Sequence, residues 1–495
     1  MILLNANQIK DWDAYTISHQ QISSKELMDR AAKACVNYIY PLKFNHIHIF
    51  CGPGNNGGDG LAMALIITNL NVECTIYIIE NELTKCSNDF QTQFELVKQN
   101  KDIKIIDVSN QEYKYTIHKS DLIVDALFGY GLNRPIDGKA KQLVEFLNSI
   151  DVYKISIDIP SGIQAGLNTF SKIDTVFKAD ITLTFQIPKL SLLMSDSGMY
   201  AGKLHLLNIG LEPGFLQTLS SEYNFITASD IKPIIKKRPV FSHKGNNGNA
   251  LLIAGSNNKG GAALMASEAC LRIGAGLLTV KLPEKFHTSL LERLPEAMIS
   301  NDDMKLDFYK AIAIGPGIEN TNENNEFLNQ LMNQKNIPVV IDADGINILA
   351  ESNLLDSTNI HPNILLTPHV KEFERLIGGI ASSSSERLAQ QIAFSKKHQC
   401  YIILKGAYSS LSTPEGNVFF NSTGNPGMAK GGSGDVLTGI LLGLLSQGYS
   451  VKDAALCGMY IHGKSADIAA SELHELYILP TDTIHYIYKS LQELS

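Results

Sequence analysis

The sequence predicts an α/β protein of two tandem domains, each a mostly parallel sheet covered by helices on both faces. Three observations predict it. Strand-like apolar runs alternate with helix-compatible segments along the chain. Glycine-rich turns close many of those runs, among them GPGNNGG from Gly52, GYGLNRP from Gly129, GPG from Gly315 and GGSGD from Gly431. The alternation pauses once, over the polar and basic residues 221–240, which reads as a linker between domains at 1–220 and 241–495. At 495 residues the chain is also too long for a single core.

The elements follow in order. SSKELMDRAAKACVNYIY reads as a polar-apolar helix, HIHIF as a strand entering the first glycine loop, and LAMALIITNL as a helix. VECTIYII is a strand, DFQTQFELVKQN a helix, DLIVDALFG a strand and KQLVEFLNSI a helix. KISIDIPSG, ADITLTFQ and KLHLLNIG add strands, and the turn at 211–214 ends the series. The second series opens with strand NALLIAGS, helix AALMASEACLRIGA and strand LLTVKLP. AIAIGPG, IPVVIDADG, ILLTPH and YIILKGAYSS read as strands, and GDVLTGILLGLL opens a long apolar helix.

Composition narrows the function classes. Hydrophobic content of 44% and charge of 19% suit an ordinary globular protein. A net charge of −8 gives no pull toward nucleic acid or anionic membrane, and Lys236–Arg238 is too short a basic run to reverse it. Seven scattered cysteines without C-x-x-C spacing suit reduced thiols, so the chain is expected in the cytoplasm. No basic-then-apolar leader and no apolar run of about 18 residues occurs. His46 and His48 alternate along a strand and read as structural, since no further ligand stands near.

The chemistry concentrates at strand ends, where open parallel sheets bind ligands. Gly52, Gly54 and Gly57 match G-x-G-x-x-G, and Glu80 sits where a ribose-binding acid belongs. Yet Asn55, Asn56 and Asp59 add amide and carboxylate groups that a bare pyrophosphate cradle does not need. With Asp125–Pro135 and Asp158–Gly162 they suit a hard cation and a hydroxylated ligand better. Asp125 and Asp158 are alternatively helix caps or turn residues, and Arg134 is placed for a phosphate. GGSGD before an apolar helix offers backbone N–H groups to a phosphoryl group, with Asp435 as base. Asp342 and Asp344 hold metal-bound water or serve a turn. His462 reads as a packed helix residue and Lys430 as a solvated one.

GPGNNGGDG, DALFGYGLNRP and IDIPSG resemble the motifs of the NAD(P)H-hydrate epimerase family. GPGI, DADGIN, TPHVKEF, LKGAYS and GNPGMAKGGSGDVLTG resemble those of the ADP- or ATP-dependent NAD(P)H-hydrate dehydratase family. The resemblance implies a Rossmann-like doubly wound sheet followed by a ribokinase-like α/β/α domain, in a homo-oligomer acting on NADHX and NADPHX. It further implies that Asn55, Asn56, Gly57, Gly58, Asp59, Gly129, Tyr130, Gly131, Leu132, Asn133, Arg134, Pro135 and Asp158 hold the hydrate, with Asn56, Asp125 and Ser161 on K⁺. In the second domain it implies Ala262, Gly317, His369 and Asp435 for the hydrate. Lys405, Gly406, Ala407, Tyr408, Ser409, Gly431, Gly432 and Gly434 are implied for ADP or ATP, and Glu372 for Mg²⁺. Tyr130 departs from the family's usual threonine, and Asn246 and Asn249 replace an acidic and a larger polar residue.

The implied chemistry has two parts. In the hydrate, the ring nitrogen pushes out the C6 hydroxyl and water re-adds from either face. A carboxyl group must protonate the departing oxygen. Asp158 is the candidate and Asp59 the alternative; either needs a pKa raised above the ordinary ~3.9. Dehydration instead phosphorylates that hydroxyl, with Asp435 as base, and then eliminates phosphate. Two other readings compete: an NAD-dependent dehydrogenase, and a ribokinase-like kinase fused to a nucleotide-binding module.

Overall fold

The computed structural model describes residues 1–80, 82–109, 115–164, 166, 175–300, 305–352, 354 and 361–495. The chain forms two compact units, Ile2–Ser221 and Glu222–Ser495, the second including Met1.

In the first unit seven strands run β1 (His46–Cys51), β2 (Glu73–Ile78), β3 (Lys104–Asp107), β4 (Leu122–Ala126), β5 (Tyr153–Ile157), β6 (Ile181–Phe185) and β7 (Lys203–Leu207). They pair in parallel in the order β3-β2-β1-β4-β5-β6-β7. Both faces are covered, so inner strands read as nearly unbroken apolar runs. One face packs Ile47, Ile49, Ile76, Val124 and Ile155 against Ala32, Cys35, Leu61 and Met63 of the helices Ser24–Ile39 and Asn55–Asn69. The other packs Phe50, Tyr77 and Ile123 against Val144 and Leu147 of helix Gly138–Ser149. Each fully buried Val, Ile, Leu, Phe or Met among them contributes about 1.5–3 kcal/mol. Chain order reverses between β1 and β4, which opens a crevice at their carboxyl ends.

Two close approaches shape that crevice. A Cβ on Gly52 would lie 1.8 Å from the Leu127 carbonyl oxygen, and one on Gly57 1.8 Å from that of Gly52. Only glycine lets the β1 loop, the next helix and the β4 loop meet there. His48, at the far end of β1, is within 3.1 Å of the Tyr77 hydroxyl and 3.3 Å of Asp121. It is a satisfied core histidine.

The second unit's sheet comprises β8 (Tyr223–Phe225), β9 (Asn249–Ile253), β10 (Leu277–Lys281), β11 (Met298–Ile299), β12 (Ala311–Ile314), β13 (Val339–Ile341), β14 (Ile364–Leu366), β15 (Tyr401–Leu404), β16 (Ser410–Ser412) and β17 (Val418–Phe420). Their order is β11-β10-β9-β12-β13-β14-β15-β16-β17-β8, again reversing once, between β9 and β12. The apolar helix Ser433–Ser446 is buried all round and packs on Ala263, Ala266 and Ala269 of helix Gly260–Arg272.

Two local expectations change here. YIILKGAYSS is not one strand: β15 ends at Leu404, Lys405–Ser409 turns, and β16 returns antiparallel. The Gly406 N–H donates to Ser409 Oγ at 3.2 Å, which stabilises that turn. Residues 221–240 are also not a plain linker. β8 pairs with β17, and Ile231 is fully buried, because Phe225, Ile226 and Ile231 have an apolar core within reach. Among the described residues no helix is long and apolar enough to cross a membrane.

Candidate active sites

At the first crevice, Asn55–Asp59 form the opening turn of helix Asn55–Asn69, capped by Gly54. Asn56, Gly57, Gly58 and Asp59 are buried and Asn55 is exposed. Gly129 lies beside the Asn56 side chain, since a Cβ there would stand 3.3 Å from Asn56 Cβ. Leu132 is half-buried, whereas Gly131, Asn133, Arg134 and Pro135 line the exposed rim.

Asp125 is fully buried at the end of β4. It accepts from the Ser161 N–H (2.8 Å) and hydroxyl (2.6 Å), the Ser156 hydroxyl (3.0 Å) and the Leu127 N–H (3.2 Å). Burial pushes its carboxyl up while these donors oppose the shift. Ser161 Oγ also accepts from the Phe128 N–H at 2.9 Å, tying the β4 and β5 loops together. The Asn56 amide nitrogen is buried without a hydrogen-bond partner among the described residues.

Asp158, just past β5, holds a left-handed backbone (φ 65°), an uncommon conformation outside glycine that aspartate tolerates. Its N–H donates to the Leu183 carbonyl at 2.8 Å. Its carboxylate forms a buried ion pair with Lys189, which also donates to Thr184 Oγ1 at 3.0 Å. Around this pair stand two more acids. Burial, followed by repulsion from Asp158 and Asp13, raises Asp59 well above the usual carboxylate range. Asp13, from helix Ala6–Gln20, is pushed up to about 6 by burial and by Asp158. The Tyr130 hydroxyl lies 3.5 Å from Asp13 Oδ2, and burial pushes that phenol up as well. Glu80, by contrast, accepts from the Glu82 N–H at 2.9 Å and serves its own turn.

The sequence motifs brought out the glycine loops, Asp125 and Asp158 but not Asp13 or Lys189. Lys189 carried a faint signal, a lysine within the apolar run Ile187–Met194. Asp13 carried none beyond its place beside the buried Trp12.

At the second crevice, Asp342 ends β13 and is buried. It pairs with Lys405 at 2.8 Å and accepts from the Thr438 hydroxyl at 2.8 Å. A Cβ on Gly434 would come within 3.3 Å of Lys405 Nζ, so glycine there leaves the ammonium its place. Gly432 caps helix Ser433–Ser446 with φ 101°, open to glycine at no steric cost. Asp435 follows in the first turn; burial and the neighbouring Asp342 push it up to about 7, against Lys405. Gly431, Gly432 and Gly434 thus surround a helix start facing Lys405 and Asp435.

Gly317 (φ 66°) sits against Ala262, whose Cβ would be 3.1 Å from a Cβ at 317. Lys259 beside them pairs with Asp344 at 2.9 Å. The backbones of His369 and Lys405 form an isolated parallel bridge just past the carboxyl ends of β14 and β15. Glu372 is buried and closes a reciprocal cap: it accepts from the His369 N–H at 2.7 Å, and its own N–H donates to His369 Nδ1 at 3.1 Å. Gly406 and Ala407 are exposed, Tyr408 and Ser409 half-buried. Lys430 is not simply solvated, since its ammonium donates to the Leu476 carbonyl at 2.9 Å. His462 is buried, and burial pushes it down to about 4.

A parallel-sheet unit with an acid cluster at an asparagine-glycine loop, and a second with an anion-ready glycine loop and a base, define a two-site α/β enzyme of the nucleotide-handling kind. Comparison gives the particular family. Residues 250–489 match the family model described as NAD(P)H-hydrate dehydratase, and residues 24–191 that described as YjeF-related protein N-terminus. The bifunctional NAD(P)H-hydrate repair enzyme of Moorella thermoacetica is 31% identical, covering 100% of this chain and 98% of its own. That of Escherichia coli is 32% identical over 95% of this chain and 89% of its own. Among solved structures, the ADP/ATP-dependent NAD(P)H-hydrate dehydratase of Bacillus subtilis, co-crystallised with ATP and Mg²⁺, matches with TM-score 0.50 and 31% identity. It covers 55% of this chain and 99% of its own. The chain belongs to the bifunctional NAD(P)H-hydrate repair enzyme family.

Proposed function

We infer that this enzyme restores hydrated nicotinamide dinucleotides in two steps: epimerisation of the C6 hydroxyl at the first crevice and nucleotide-dependent dehydration at the second. We assign the first to residues 1–220 and the second to residues 241–495, with β8 and Ile231 of the intervening segment packed into the second unit. The observation that carries the reading is the second site's arrangement, a base near neutral pKa at the glycine-lined helix start beside a half-buried lysine.

At the second site Asp435 takes the proton of the C6 hydroxyl as that oxygen attacks the terminal phosphorus of ADP or ATP. The N–H groups around Gly431–Gly434 and the Lys405 ammonium offset charge on the transferring group. Phosphate then leaves with the C–O electrons while the ring nitrogen's lone pair forms the double bond; loss of a ring proton completes the dihydronicotinamide. Ala262, Gly317 and His369 hold the hydrate; Gly406–Ser409 hold the nucleotide base. Mg²⁺ accompanies the nucleotide, where it would neutralise phosphate charge. Glu372 remains the candidate ligand, although its cap already occupies one oxygen.

At the first site Asn55–Asp59 and Gly129–Pro135 receive the dinucleotide. Asn56 would offer its amide oxygen to a cation, and Ser161 retains acceptor capacity. Asp125 has spent its acceptors on the chain and supplies negative charge. Together they suit one K⁺, which would add positive potential near substrate phosphates. Epimerisation runs through a planar iminium: the C6 oxygen leaves as water, and water adds again from the other face. Asp158, in contact with Lys189, is the group that takes a proton from the returning water. A cytoplasmic homo-oligomer acting on both NADHX and NADPHX completes the proposal.

The test supplies purified protein with NADH hydrate, Mg²⁺ and ADP or ATP and follows the absorbance of reduced nicotinamide. Absorbance is expected to return, and no return with either nucleotide overturns the reading. Dehydration is expected to rise with pH as Asp435 loses its proton near 7, then to level off. Asp435→Asn is expected to lower the dehydration rate about 10²–10⁴-fold while hydrate epimers still interconvert. A rate that the substitution leaves intact excludes Asp435 as the base.

A further inference from the structure

We propose that Asp13 is the proton donor of the epimerase site, acting opposite Asp158 across the C6 centre of the hydrate. The inference rests on the epimerase reading of the first crevice and adds to it a catalytic residue from an element that none of its motifs contains.

Helix Ala6–Gln20 brings Asp13 to the crevice, where the Tyr130 hydroxyl stands 3.5 Å from its Oδ2. It interacts electrostatically with Asp158, past β5, and with Lys189, past β6. Asp59, from the opening turn of helix Asn55–Asn69, is the third acid of the cluster and in turn senses Asp13 and Asp158. Three carboxyls therefore share one buried ammonium. Charge balance leaves one carboxylate paired with Lys189, and the geometry gives that partner as Asp158. The remaining two are the groups that carry protons.

Between those two, position decides. Asp59 is 9% exposed and fixed within the first turn of its helix. Asp13 is half-buried, so it exchanges protons with solvent after each turnover. Burial and Asp158 push it up to about 6, within reach of a neutral medium, while Asp59 lies well above the usual carboxylate range. A donor that must be reprotonated in every cycle needs that intermediate position.

The step balances. The ring nitrogen's lone pair forms the C=N bond and the C6–O bond breaks; the departing oxygen takes the Asp13 proton and leaves as water. A water molecule then adds to C6 from the opposite face and gives its proton to Asp158. The C=N electrons return to nitrogen. The proton on Asp158 returns to Asp13, which exchanges with solvent, and the reverse epimerisation uses the two acids in the opposite order. No oxidant or co-substrate is consumed.

The test measures interconversion of the two NADH hydrate epimers by the full chain, with the spontaneous rate subtracted at every pH. In the unsubstituted enzyme, kcat/KM is expected to fall about tenfold per pH unit above roughly 6, as Asp13 loses its proton. Asp13→Asn is expected to lower kcat by about 100-fold or more, to leave KM within a few-fold, and to abolish that pH limb. Dehydration by the same chain should be unchanged. An Asp13→Asn enzyme that keeps its epimerisation rate, or loses only KM, overturns the proposal. If Asp13→Asn does not fold, Tyr130→Phe decides: losing the hydroxyl's hydrogen bond should move the limb to higher pH, and an unmoved limb overturns the proposal. Absence of epimerisation by the unsubstituted enzyme is a different result, because it removes the site reading itself.

Discussion

Lys189 shows how much a single buried side chain organises. Its ammonium is almost wholly removed from water, which is costly unless a counter-charge and hydrogen bonds replace the lost hydration. Asp158 supplies the charge, and Thr184 an oxygen. Removing one partner leaves the other buried and uncompensated. Lys189→Met is therefore expected to destabilise the epimerase unit by about 3–5 kcal/mol at neutral pH, measured by chemical denaturation. Adding Asp158→Asn should recover most of that loss, because no isolated charge remains. If the double variant were as unstable as Lys189→Met alone, the ion pair would not be the cause.

Elements differ in how openly the sequence announces them. The strand–loop–helix unit around Gly52–Asp59 was legible because strand, turn and helix lie within a few contiguous residues and the loop geometry admits only glycine. Gly57→Ala places a methyl 1.8 Å from the Gly52 carbonyl oxygen, which the backbone cannot accommodate in place. Epimerisation is expected to disappear, while dehydration, built on the other sheet, stays within about twofold. A fully active Gly57→Ala enzyme would mean that this loop is not part of the site. Other elements were hidden for physical reasons. β8 is three residues long, too short for any periodicity, and exists because β17 offers it an edge. β15 and β16 read as one strand because their turn, Lys405–Ser409, lacks the usual hairpin dipeptides. Asp13 meets Tyr130 across 117 residues, and Lys189 meets Asp158 across 31, so only the folded sheet brings them together.

The chain has two separately cored units, and with one proposed site on each this has a kinetic consequence. If dehydration accepts one epimer of the hydrate, as an epimerase in the same chain implies, full recovery of an epimer mixture needs both activities. With excess ADP or ATP and an epimer mixture, the unsubstituted enzyme is expected to restore reduced nicotinamide completely. Gly57→Ala should restore only the fraction present as the reactive epimer, then creep at the spontaneous epimerisation rate. Adding an Asp435→Asn chain supplies epimerase without dehydratase. Since the hydrate is a small diffusible molecule and each site is built from one unit's residues, this mixture should reach full recovery. The speed of its slow phase should then scale with the concentration of Asp435→Asn chain. A tether raises local concentration but does not replace diffusion. If the mixture stalls at the first plateau despite active epimerase, the intermediate does not pass through solvent, and the two activities work only when joined in one chain.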